Sequence, residues 1–151
     1  FLTLTSMAQL RIQSGAIFYL NSGASVAVDG DVTSFADIQG PGTVELKRTT
    51  SQILNMNGFA IPNLIVNNPA SVALGGSAVV SSTFNLTAGK VQLNNYDLSL
   101  AANAAFTGWD NTKYFVTNGT GRLVKNSLGA TAFTFPVGGD MNDHCQLECS
   151  E

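Results

Sequence analysis

Charged side chains are scarce in this chain of 151 residues: only 11% are Asp, Glu, Lys or Arg, less than half the usual share. Seven basic residues against ten acidic ones give a formal net charge of −3. There is therefore no basic footprint for nucleic acid or an anionic membrane surface. No apolar run approaches the roughly 20 residues of a membrane span. Histidine occurs once and cysteine twice, too little for an established zinc-ligand spacing or a nucleophile–base pair. Sustained helical periodicity is missing throughout, which excludes a helical bundle.

What remains is small polar residues and short apolar triplets. A hydrophobic content of 44% suffices for one core in a chain of this length. The surface must then be covered by Ser, Thr, Asn and Gly, as in many extracellular β-rich proteins. The chain opens on Phe1-Leu2-Thr3-Leu4, already strand pattern, which we read as a processed mature form or a piece of something longer.

The triplets repeat. Val44-Glu-Leu46, Leu64-Ile-Val66, Phe84-Asn-Leu86 and Ala104-Ala-Phe106 start at positions 44, 64, 84 and 104. Val72-Ala-Leu74 is followed in the same way by Val91-Gln-Leu93, and Ala78-Val-Val80 by Leu98-Ser-Leu100. Alternate residues of a strand share a face, so each triplet is a minimal strand with two inward side chains. Self-similarity at a fixed period of this size marks a repeat architecture. We predict an all-β fold, a parallel β-helix or β-solenoid of about 20 residues per coil, with a β-sandwich as the alternative. Leu10-x-Ile12, Phe18-x-Leu20 and Val26-x-Val28 read as consecutive sides of one coil. Residues 1–139 are taken as one solenoid domain with an irregular loop over 29–43, and residues 140–151 as a cysteine-containing tail.

Stacking coils about 4.8 Å apart would join Val44, Leu46, Leu64, Val66, Phe84 and Leu86 into a core column, with Phe106 continuing the edge formed by Leu46, Val66 and Leu86. Asn67-Asn68 and Asn94-Asn95 are expected at corners, where Asn accepts left-handed backbone and can stack on an Asn one coil away. Phe1-Leu2 carries no cap and no amphipathic helix follows Phe133-Thr-Phe-Pro136. Bare solenoid ends favour stacking on copies of the chain or on flanking domains.

Gly42-Thr-Val-Glu-Leu46, Ile61-Pro-Asn-Leu-Ile-Val-Asn-Asn68, Leu86-Thr-Ala-Gly-Lys-Val-Gln-Leu93, Tyr114-Phe-Val-Thr-Asn-Gly-Thr-Gly121 and Phe133-Thr-Phe-Pro-Val-Gly138 occur in that order. This series resembles the repeat regions of large secreted, adhesin-like surface proteins of the Bacteroidetes group, exported by the type IX route. The resemblance covers roughly residues 40 to 139, and the segment from Met141 to Glu151 departs from it. It implies a secreted or cell-surface location and a structural or adhesive role.

Candidate chemistry is sparse. Asp29, Asp31 and Asp37 cluster in sequence and offer a Ca²⁺ or catalytic site, or else a solvated corner. Carboxylates do not recur at the coil spacing, so the chain is expected not to be an enzyme and to need no cofactor. Trp109 with Tyr114 would give a platform for sugar rings and a route to surface polysaccharide; alternatively Trp109 covers the column's end. Cys145 and Cys149, beside His144, are read as a disulfide within the tail or to a neighbouring chain, or as free thiols. Asn85 and Asn118 match the glycosylation sequon.

Overall fold

A computed structural model describes residues 9–128 and 132–149. The chain winds through three faces per coil and stacks about six coils. The first runs β1 (Leu10–Ile12), β2 (Phe18–Tyr19) and β3 (Ser25–Val28), one strand on each face. The second repeats this with β4 (Val32–Ser34), β5 (Ile38–Gln39) and β6 (Thr43–Leu46). The third and fourth coils place β7 (Gln52–Asn55) and β9 (Val72–Gly76) on face one. Their long strands β8 (Ala60–Asn67) and β10 (Ala78–Ala88) then bend across faces two and three. The fifth coil is β11 (Val91–Gln92), β12 (Leu98–Leu100) and β13 (Ala105–Thr107), and the sixth holds β14 (Phe115–Val116) and β15 (Leu123–Lys125). The path ends in β16 (Phe133–Gly138) and β17 (Cys145–Cys149).

Among the described strands every ladder is parallel except that of β16 with β17. Parallel pairing of successive coils excludes the sandwich, whose sheets are antiparallel. On face three Val44 lies opposite Leu64 and Leu64 opposite Phe84, with Leu46, Val66 and Leu86 in the neighbouring row. All six are essentially inaccessible to water, and each such side chain contributes roughly 1.5–3 kcal/mol by burial.

Three expectations are corrected. Phe106 pairs with Phe84 rather than continuing the row of Leu86, because the corner before β13 is two residues longer than its predecessor. The half-buried Phe106 packs edge-on against Phe84, ring centroids 5.4 Å apart. The segment 29–43 is no irregular loop either. It contains β4 and β5, in register with β1 and β2, and buries Val32, Ser34 and Ile38. Its inward residues do not form an apolar triplet because Ser34 stands at a core position, with its hydroxyl donating to the carbonyl of Ala36 at 2.6 Å.

Contrary to the expected bare end, the C-terminal end of the described stack is covered. Beyond β14, β16 adds one more parallel strand and β17 folds back on it antiparallel. Phe84, Phe106, Phe115 and Phe133 form a linked aromatic plug. On face two the inward row Ile61, Val80, Leu100 ends in Lys125. The Lys125 ammonium donates to the carbonyls of Ala101 at 2.6 Å, Ala102 at 2.5 Å and Ala104 at 3.4 Å. A cation at a core position thus terminates the column. Residues 1–8, which include the expected strand at Leu2 and Leu4, lie outside the described residues.

Candidate functional site

The three clustered aspartates do not converge. Asp29 follows β3, Asp31 precedes β4 and Asp37 precedes β5, so β4 separates the last two. Two of them bind backbone of the next coil. Asp31 accepts from the Ile53 N–H at 2.9 Å and from Arg48 at 3.3 Å; Asp37 accepts from the Ala60 N–H at 2.7 Å. Asp97 does the same, taking the Arg122 N–H at 2.9 Å. A corner carboxylate holding the N–H one coil on is thus a recurrent structural device here. Among the described residues no group of three or more His, Cys, Asp and Glu is gathered to hold a metal ion.

The amides are engaged similarly; Asn68 stands at a corner as expected, while the burial of its amide and the part played by Gln52 are not visible in the sequence. Gln52 and Asn68 are fully buried at the corner joining face three to face one. Gln52 donates to the carbonyls of Val28 at 2.9 Å and Gly30 at 2.5 Å. Asn68 donates to Thr50 O and to the Gln52 amide oxygen, and its own oxygen accepts the N–H groups of Ala70 and Ser71. Gly89 (φ +77°) turns the same corner one coil on, where any Cβ would strike the Asn68 carbonyl. Asn94 sits at a different corner, between faces one and two, in left-handed backbone at φ 53°. Its stacking partner is Asn118, at 3.0 Å.

Trp109 and Tyr114 form no joint platform. Trp109 is partly buried at the corner after Gly108, which Asp110 organises by accepting from Thr112 and Lys113. The Lys113 hydrogen bond, with those of Thr112, holds the Asp110 carboxyl well below the usual carboxylate range. Tyr114 is only 1% exposed. Phe115 points into the column, so Tyr114 faces outward, and the loop 139–144 closes over it. His144 stacks on its ring at 5.0 Å, and its hydroxyl donates to Asp140 O at 3.1 Å. Gly138 permits this overlay, since a Cβ there would meet Asp143 O and the Tyr114 ring. Burial raises the Tyr114 pKa above its ordinary 10.0, aided by the Asp140 and Asp143 carboxylates.

Cys145 and Cys149 are exposed free thiols on one strand. Four residues of extended chain separate their Cα atoms by about 13 Å, far outside disulfide range, so they cannot pair within the tail. On the outside of face three, a shallow recess of about 160 Å³ is lined by Thr43, Asn63, Ile65, Thr83 and Asn85. Small-molecule pockets run from roughly 300 Å³ upward, and Asn63 already donates to Pro41 O and Gly42 O. Among the described residues no helix is long and apolar enough to cross a membrane.

Fold and bonding together define the chain as a three-sided parallel β-solenoid repeat protein. Comparison with family models, with curated proteins and with solved structures finds no match.

Proposed function

We propose that this solenoid is a non-catalytic structural or adhesive unit of a secreted or cell-surface protein, a stretch of a long adhesin that sets length and displays its faces. The observation that carries this reading is where the polar chemistry goes. Asp31, Asp37, Asp97, Gln52 and Asn68 all bind the backbone of a neighbouring coil or corner, so these groups build the stack rather than converge on a substrate. The resemblance of residues 40 to 139 to type IX-exported adhesin repeats agrees with it, as does the low charge. Continuous coil-on-coil stacking into a filament is the weaker form of the reading, because the antiparallel β17, the aromatic plug and Lys125 stand at the C-terminal end.

Six coils at about 4.8 Å each give a body about 30 Å along its axis. Electron microscopy and small-angle scattering of the full chain over a wide concentration range test the proposal. Short particles of fixed length are expected. Filaments that lengthen with concentration would restore coil-on-coil polymerisation. Polysaccharide binding that is lost on Asn63→Ala, with the fold intact, would replace the reading by a carbohydrate-binding module at the face-three recess.

A further inference from the structure

Among the described residues, β17 is an exposed strand with an unpaired outer edge. All five residues from Cys145 to Cys149 are exposed, Leu147 by 56%, and β17 is the terminal strand of its sheet. An exposed strand edge with an apolar centre is a template for another strand. Which backbone groups it offers follows from the ladder. Gly138 O accepts from the Thr117 N–H at 2.8 Å, on the side of β14. Backbone groups alternate sides along a strand, so Gly138 and Pro136 face β14, while Val137, Phe135 and Phe133 face β17. Pro136 can occupy this position because β14 begins only opposite Val137, where its missing N–H interrupts no ladder. Val137, Phe135 and Phe133 pair with Cys145, Leu147 and Cys149, whose N–H and C=O groups are thereby engaged. Gln146 and Glu148 turn theirs to the open edge.

We infer that this edge takes β17 of a second copy, antiparallel about a two-fold axis at Leu147, and that two disulfides between Cys145 and Cys149 lock the pair. Three independent properties of the five residues meet in this register. Gln146 falls opposite Glu148 of the second copy, as a hydrogen-bonded pair that uses the outward N–H and C=O of both. Leu147 falls opposite itself and covers its exposed surface. Cys145 falls opposite Cys149 of the second copy in a non-hydrogen-bonded pair, where Cα atoms approach to about 4.5 Å, within disulfide geometry. No like charges are directly opposed, since Glu148 meets Gln146. A parallel partner or a register shifted by one residue loses the thiol match.

Closure requires oxidation, which a low-molecular-weight disulfide can supply by exchange. Two cysteine thiols and one glutathione disulfide become one protein disulfide and two glutathione thiols, so protons and electrons balance. The inference goes beyond the adhesive reading, since it concerns the C-terminal edge whatever the outer faces bind.

The test is covalent dimer formation by the full chain in a glutathione redox buffer, followed by non-reducing electrophoresis and mass spectrometry. Wild type is expected at twice the 15.8 kDa chain mass, yielding Cys145–Cys149 linked peptides. Cys145→Ser and Cys149→Ser are each expected to stay monomeric, because like cysteines lie about 13 Å apart across the two-fold. An equal mixture of the two variants recovers a singly linked heterodimer. Glu148→Pro removes an edge N–H without touching the β16 ladder and should slow dimerisation at least tenfold. A wild type that remains monomeric, single variants that dimerise with themselves, or a mixture that does not link would each overturn the proposal.

Discussion

At the scale of single residues, buried amides hold this structure together where a larger core would otherwise be needed. Asn68 uses its amide on both sides, donating to Thr50 and Gln52 and accepting from Ala70 and Ser71. Asn68→Ala leaves the buried Gln52 amide oxygen without its donor and is expected to cost about 1–3 kcal/mol, read as a lowered urea midpoint. Asp29→Ala, on an exposed carboxylate, should change the unfolding free energy by less than about 0.5 kcal/mol. Tyr114 gives a pH signature. Its raised pKa means the phenol ionises first in the unfolded chain, so its contribution is complete below pH 10 and is lost as pH rises through the folded value. Tyr114→Phe should flatten the decline in stability above pH 10 in a thermal-melt series. Neither role was legible in the sequence. Polar residues at inward positions look like corner residues until the register is known, and Tyr114 stood beside Trp109 and looked like a ligand platform.

At the scale of elements, the apolar triplets were legible because stacking requires side chains of like character in register. Val44, Leu64 and Phe84 fall in one row because their coils have equal length. Where a corner lengthens, as before β13, spacing no longer reports register, and Phe106 was placed one row away from its partner Phe84. The strands β4 and β5 were hidden because each offers few apolar residues, and Ser34 takes a core position. The cap was hidden for a related reason. Lys125 in the triplet Leu123-Val-Lys125 reads as a surface lysine, yet it ends a buried row and satisfies three carbonyls. Burial pulls its pKa below the ordinary lysine value. Lys125→Ala should cost about 1–3 kcal/mol and speed amide exchange in β12 and β15 while leaving β1 and β4 unchanged.

At the scale of the whole molecule, the described C-terminal end differs in kind from the body of the stack. The body is a stack of like coils, whereas the C-terminal end departs from every rule of that stack: antiparallel pairing, an aromatic plug, a half-buried cation and exposed thiols. The parallel stacking of the coils also has a mechanical consequence. Tension drawn along the axis meets hydrogen bonds one at a time, as a zipper does, because each coil is bonded to the next by a strip perpendicular to the pull. Each coil that peels frees about 20 residues, or roughly 70 Å of slack, so a stack of this kind yields in steps and absorbs extension without losing its remaining coils.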